Sequence, residues 1–428
     1  MNILRVFKSH FLVTYIVLAL FLLIGEVGAA TYYVSPNGND TNSGSISAPF
    51  RTIQRAADLV RVGDTVNIRA GTYGNFKLRN KNGTASAWIV FKPYLSETVT
   101  IDPYTNNYAN AEQDINIGGS SYIEIKGLNL TNTDPNCDSE NYTNYSQVVS
   151  NDGIKIDTYS SISSHHIRIY ENTIYHTGGE GILSTSSSHD VEIVGNTIRD
   201  IGLSKRGYGM YIQGSKYVIR DNVIYHAYGY GLHVYSDSEV PSEITIERNR
   251  IHKNGHTDYG KGYSSPNWPP EGELRGDGVL VWATGSTIRN NLIYGNLGDG
   301  ISVRYSGNAI YNNTIYKNGG RGISIGNTGG IIIRNNIAYL NGSSNNYNGN
   351  TQSNNLTTDP KFVNAAAGDF NLVAGSSAID AGYPTSSILD DYAGRYRPQG
   401  MGYDIGAYEY VGTSDTTPPA PPAIIEVK

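Results

Sequence analysis

Between Asn151 and Asn341 one phrase is rewritten seven times: NDGIKI (151–156), GEGILS (179–184), GYGMYI (207–212), GYGLHV (229–234), GDGVLV (276–281), GDGISV (298–303) and GRGISI (320–325). A second phrase, opening on Asn as in NTIYHTGG or NRIHKNG, recurs with it at Asn172, Asn196, Asn222, Asn249, Asn291, Asn313 and Asn336. The separations of 24, 26, 27, 42, 22 and 23 residues describe one repeat with a single large insertion. A period of this size means one supersecondary unit per repeat, stacked as a solenoid. Apolar residues alternate strictly within each unit, so the units are strands. The chain therefore reads as an all-β solenoid with coils roughly 4.8 Å apart.

Equivalent positions then form columns along the stack. The residue after each Gly-Ile pair lies between interior residues and points outward: Lys155, Leu183, Tyr211, His233, Leu280, Ser302, Ser324. Two residues further the outward column reads Asp157, Thr185, Gln213, Tyr235, Trp282, Arg304, Gly326. The turn position before each repeat Gly reads Asp152, Glu180, Tyr208, Tyr230, Asp277, Asp299, Arg321. Aromatic, His and acidic residues gathered on one face imply a binding groove. The repeated Asn residues read differently, as turn residues whose amides form a ladder between coils.

A solenoid consumes length linearly, so 428 residues read as one elongated domain with appendages. A net charge of -6 gives no basic face for nucleic acid. With 49 Gly and 34 Tyr, the composition suits tight turns and wet aromatic surfaces. Residues 1–30 carry Arg5 and Lys8, an apolar run from Phe11 to Ile24 and then VGAA, the layout of a cleaved secretory signal. The expectation is a secreted or cell-surface monomer with no stable membrane insertion after cleavage. Cys137 is the single cysteine, so no intrachain disulfide forms.

Taken in order, TYYVSPNGND is a strand and loop, FRTIQRAADLV carries apolar residues at helical spacing, and TVNIRAGTY is a strand. A short amphipathic helix there closes the open first coil, whose edge would otherwise pair with other chains. Two polar loops, 132–150 and 252–276, leave the coil before the same strand. The second carries Tyr259, Tyr263 and Trp268 among prolines and reads as a groove wall. From Asp359 the texture changes to DPKFVN, GDFNLVAGSSAIDAG and YDIGAYEY, and residues 412–428 form a Pro-rich tail.

The block YYVSPNGND, SGSISAPFRTIQRAADLV and GDTVNIRAGTY resembles the opening of secreted right-handed parallel β-helix proteins of the pectate-lyase-like superfamily, including polysaccharide lyase family 9. The resemblance implies a right-handed, three-sheet, single-stranded parallel β-helix over 31–358. The 359–411 block resembles the segment that follows many bacterial and archaeal β-helices, and its expected role is to cover the last coil. In the resembling family a Lys base works with calcium held by aspartates. The nearest equivalents here are Asp152, Asp157 and Glu180, and no dense aspartate cluster accompanies them.

A groove of aromatics and a few ionisable groups suits a sugar chain, whose apolar ring faces stack on Trp and Tyr. On a uronate, a base removes the proton next to the carboxyl group, an acid assists the leaving oxygen, and a cation stabilises the enolate. The candidates are His233 and Tyr211, one coil apart, with His226 at the turn feeding His233 and Lys155 as an alternative base. Tyr208, Tyr230, Tyr235, Trp268, Trp282 and Arg304 are the candidate sugar contacts. The expected activity is a lyase or epimerase on an acidic polysaccharide. Two alternatives stand beside it: a β-helix glycoside hydrolase using Asp277 and Asp299, and a non-catalytic carbohydrate-binding or surface protein. An outward His or Tyr on a β-helix is also commonly no more than a stacking ladder. Asp277 and Asp299, for their part, read as a salt cluster with Arg304 and Arg321. The paired-Asp and Gly-His-Gly signatures of polygalacturonases are absent.

Overall fold

The computed structural model describes residues 28–106, 113–134, 151–202, 207–255, 276–385 and 388–412. Residues 1–27, Cys137, Trp268, most of both long loops and the tail after 412 lie outside these residues. Three long sheets of twelve, ten and nine strands run along the molecule, and every strand in them pairs in parallel with the equivalent strand of the next coil. One coil contributes a strand to each sheet in turn, as His165–Tyr170, Thr173–Thr177 and Ile182–Ser184 do. Ile, Val and Leu at alternate positions fill the interior and are almost wholly buried, as at Ile154, Ile182, Met210, Leu232, Val279, Ile301 and Ile323.

The corner between the twelve- and ten-stranded sheets is held by Asn, as the repeat predicts. Asn172 Nδ2 donates to Asn196 Oδ1 at 3.1 Å, and Asn196, Asn222, Asn249, Asn291 and Asn313 each donate onward to the next at 2.9–3.0 Å. Each Oδ1 also accepts the backbone N–H of the preceding Asn, so the buried amides satisfy one another. A second ladder, unforeseen in the sequence, runs through Asn254, Asn296, Asn318 and Asn341 at the next corner. Its signal was the Asn-Gly pairs closing several repeats.

At the N-terminal end, helix Ile53–Leu59 starts on Thr52, whose hydroxyl accepts from Arg55 N, and buries Ile53, Ala56 and Ala57. Gln54 accepts from Lys77 N at 2.8 Å and donates to Lys77 O at 3.1 Å, so one side chain pairs the free edge of the first strand of the nine-stranded sheet. The segment from Asp359 packs on the last coils, where Leu372, Ala378 and Ile405 meet Ile337, Tyr339 and Leu356. It lies along the flank as well, where Phe370 packs on Tyr294 and Tyr316, Asp390 pairs with Arg248 and Asn335 binds Tyr383. A buried Arg397–Glu409 pair at 2.7 Å ties this segment together, and Arg397 also donates to Asn290 of the solenoid at 3.2 Å.

Candidate active site

The nine-stranded sheet carries the columns read from the sequence. Lys155, Leu183, Tyr211, His233, Leu280, Ser302 and Ser324 are register partners in successive coils. The column extends two coils earlier, through Asn116 to Lys77, and Arg79 lies on the strand of Lys77 with its Nη1 on Asn116 Oδ1 at 2.5 Å. Sequence reading missed these residues because the first coils depart from the seven-fold phrase.

The turn column is also one line, since the N–H after each turn residue donates to the carbonyl of the next one: Gly153 to Glu180, Gly181 to Tyr208, Gly209 to Tyr230, Gly231 to Asp277, Gly278 to Asp299. Asp114, a coil earlier, donates its backbone N–H to the Asp152 carbonyl and so stands level with Gly153, one residue past this line. Where this column is Asp, it does structural work. The Oδ1 atoms of Asp152, Asp277 and Asp299 accept the backbone N–H of Glu180, Asp299 and Arg321 at 3.0, 2.8 and 2.6 Å. The column is not Asp at Glu180, Tyr208, Tyr230 and Arg321, and at two adjacent coils it is aromatic, Tyr208 and Tyr230. Those are the coils of Tyr211 and His233.

The exchange builds an aromatic box. Tyr208 meets Tyr211 and His233 edge-on at 5.5 and 5.0 Å and lies 5.0 Å from Tyr230. His233 stacks on Tyr211 at 4.8 Å and 10°, and on Tyr235 at 5.6 Å and 3°. Gly229 admits the Tyr208 ring, for a Cβ there would stand 2.7 Å from its Cδ1 and Cε1. These four tyrosines leave His233 only 8% exposed, although its column faces away from the core. Both faces of the His233 ring are spent, one on Tyr211 and one on Tyr235. Trp282 breaks the order, standing at 76° to Tyr235 and 85° to Tyr305, so its indole is stacked on neither.

Burial, with Asp237 next, pushes the Tyr211 hydroxyl up to about 12, so it holds its proton at neutral pH. Tyr235 donates its hydroxyl to Asp237. Lys155 pairs with Asp157 at 3.5 Å, three coils from His233. His226 does not join the box. It sits on the ten-stranded sheet at a left-handed backbone position (φ 55°), with Nδ1 3.2 Å from Asp200 Oδ1.

The calcium set does not converge. Asp152 and Glu180 adjoin at the turn, but Asp157 lies five residues along the strand from Asp152, roughly 16 Å away, and belongs to Lys155. Among the described residues no three His, Cys, Asp or Glu groups are set to hold a metal ion. Burial, reinforced by Glu180, instead holds the Asp152 carboxyl well above the usual range. Burial likewise raises Asp277 to about 6. The expected salt cluster around Asp277 and Asp299 takes another form: Asp299 receives the backbone N–H of Arg321 and the Ser302 hydroxyl, while Arg304 Nη1 donates to the Ser324 carbonyl at 3.3 Å.

Three family descriptions match the sequence: "Right handed beta helix region" over residues 188–362, "Periplasmic copper-binding protein (NosD)" over 95–268 and "Protein of unknown function (DUF1565)" over 36–78. The crystal structure of pectate lyase Pel9A superposes with a TM-score of 0.62, covering 90% of this chain and 97% of that one at 17% identity. The chain has the right-handed parallel β-helix fold of pectate-lyase-like proteins. The handedness, which periodicity alone leaves open, agrees with the resemblance of residues 31–73. Two curated relatives match over shorter stretches. Pectate lyase PEL9 of Emericella nidulans is 38% identical over 123 residues, 26% of this chain and 30% of its own length. The uncharacterized protein YwoF of Bacillus subtilis is 36% identical over 153 residues, 35% of this chain and 30% of its own length. The chain thus spans about 30% of the length of each of these relatives.

Proposed function

We propose that this β-helix acts on an acidic, uronate-containing polysaccharide outside the cytoplasm, as a lyase or as an epimerase sharing the same proton abstraction. The observation that carries the reading is the pair of tyrosines, Tyr208 and Tyr230, in the turn column. In those two adjacent coils the turn position carries rings that pack around Tyr211 and His233 in place of the Asp carboxylate that caps the turn elsewhere. The relative named a pectate lyase supports the reaction class. No described helix is long and apolar enough to cross a membrane.

In this reading the His233 imidazole takes the proton next to the uronate carboxyl group. Tyr211, protonated at neutral pH and on the same side of the sugar as His233, donates to the departing oxygen in elimination. Trp282 offers an unstacked ring to a sugar face, and Lys155 and Arg79 meet carboxylates further along the polymer. Asp152, Asp157 and Glu180 do not fit a calcium ion together, so no step is routed through one. The NosD description names copper, an ion suited to imidazole ligands. Among the described residues, His233 is the one imidazole on the nine-stranded sheet, and no three His, Cys, Asp or Glu groups are set around one ion, so no step is routed through copper.

One observation favours a second reading. Asp277, raised to about 6 beside Asp299, is tuned as a glycosidase acid would be. Incubation with a panel of uronate polymers separates the two. The lyase reading expects an ultraviolet-absorbing unsaturated product; the hydrolase reading expects reducing ends without that absorbance, abolished by Asp277→Asn and Asp299→Asn.

A further inference from the structure

Charge is unevenly laid out along the nine-stranded sheet. Lys77, Arg79 and Lys155 stand in its outward columns within the first three coils, and Arg304 stands two coils past His233. The four coils between Lys155 and Arg304 carry no Lys or Arg in the described strands of this sheet or the turns bordering them, residues 178–188, 207–215, 228–242 and 276–286. They do carry acids. Glu180 and Asp277 lie in the turn before the strand, and Asp237 and Glu239 lie exposed after it. Asp237 accepts the Tyr235 hydroxyl. Burial, then Asp237, Tyr208, Tyr235 and Glu180, raise the Tyr211 hydroxyl, so carboxylates on both sides of the strand are felt in the aromatic box.

A sugar in an extended chain advances by about one coil spacing, so a polymer lying along the groove sets roughly one sugar against each coil. A homopolyuronate brings a carboxylate with every sugar. Beside the one held at the box, its neighbours would face Glu180, Asp237 and Asp277 with no described Lys or Arg on those coils, and like charges brought together in a site cost affinity. The next coil offers a platform in place of a charge: the Trp282 indole, stacked on neither tyrosine beside it, suits the apolar face of a neutral sugar. One coil beyond, Arg304 donates to the backbone carbonyls of Val303 and Ser324 and forms no ion pair with a carboxylate among the described residues. Its charge is available to a second uronate. In the other direction the coil of Leu183 and Thr185 is uncharged on its strand, and the nearest Lys, Lys155, is already answered by Asp157 at 3.5 Å.

We infer that the groove takes a polymer of spaced charge, a heteropolysaccharide whose uronates are each separated from the next by at least one neutral sugar. The inference rests on the proposed action on uronates and narrows its substrate class. Asp237 and Glu180 set the preference, by repelling a carboxylate on the sugars next to the one at the box. Trp282 and Arg304 read the neutral sugar and the uronate that follow it.

The test compares polygalacturonate and alginate with the same polymers after partial carboxyl reduction, which turns some uronates into neutral sugars and leaves spaced uronates on the same backbone. With the full chain, affinity by calorimetry and unsaturated or inverted product per remaining uronate should both be about tenfold higher on a reduced polymer. Asp237→Asn combined with Glu180→Gln should bring the unreduced polymer to within about threefold of the reduced one and leave the reduced one unchanged. Asp190→Asn, on the twelve-stranded sheet, should alter neither. A homopolyuronate bound and converted as well as its reduced form, or a preference that survives the double variant, overturns the inference and leaves the lyase or epimerase reading standing. Reducing ends without unsaturated or inverted product on any of these polymers overturns that reading and the inference with it, as does failure to bind all of them. Circular dichroism and melting of each variant separate loss of a carboxylate from loss of fold.

Discussion

Two histidines sit between stacked tyrosines on neighbouring sheets, and their surroundings differ in kind. His252 lies between Tyr225 and Tyr294 at 5.0 and 4.8 Å, nearly parallel to both, and the C-terminal segment closes over the far end where Phe370 meets Tyr294. No carboxylate pairs with it among the described residues, and its Nδ1 has no hydrogen-bond partner there. His233 has a similar stack, between Tyr211 and Tyr235, but around it the turn column has exchanged Asp for Tyr208 and Tyr230, and Asp237 stands at the rim. A Tyr-His-Tyr stack alone is thus a way to finish a β-helix face. What separates the two is whether the turn beside the stack carries rings in place of the Asp cap.

The largest way to disturb this contrast is to loosen the segment over the His252 side. Arg397→Met leaves Glu409 buried and unpaired, and should cost about 3–5 kcal/mol in chemical unfolding. Activity measured well below the melting range should survive. Loss of activity in a folded Arg397→Met protein would mean that the covered flank takes part in the chemistry.

His252 itself gives a pH signature. Burial, then Arg250 and Lys253, lower it from 6.5 to about 4. The unfolded chain therefore takes up the proton first, and stability is lost as pH falls from about 6.5 towards 4. The loss is roughly 3 kcal/mol. His252→Phe keeps the stack and removes the titration, so its urea midpoint should fall less than that of the parent protein over that range. Equal falls would show that His252 is not desolvated.

On the other sheet, His233→Ala and Tyr211→Phe should each lower turnover about a hundredfold with little change in substrate affinity. Asp277→Asn should have a minor effect. A smaller change is expected from Gly229→Ala, whose new methyl group pushes on the Tyr208 ring. It should cost about 1–2 kcal/mol and lower activity severalfold; unaltered activity would place Tyr208 outside the site.

The repeating part of this arrangement was legible in the sequence. Strict alternation gave the strands, the Asn spacing gave the ladder from Asn172 to Asn336, and the Gly-x-Gly phrase gave the columns that pair in the structure. Sequence reading could not see which outward residues are covered. His233 points away from the core and is still buried, because the box is closed by Tyr208 and Tyr230 from the turn. Nor did it resolve His226, whose left-handed position turns it towards Asp200. Long-range placement of the segment after Asp359 is not periodic, so it left no pattern to read.

The claim that the His233 face and not the His252 face meets the polysaccharide can be tested in one titration. An oligouronate is added to the Tyr211→Phe protein, labelled selectively at histidine, and the ring resonances are followed by nuclear magnetic resonance. The account predicts saturable shifts of the His233 signals while those of His252 stay in place. Shifts at His252 with His233 unmoved would contradict it.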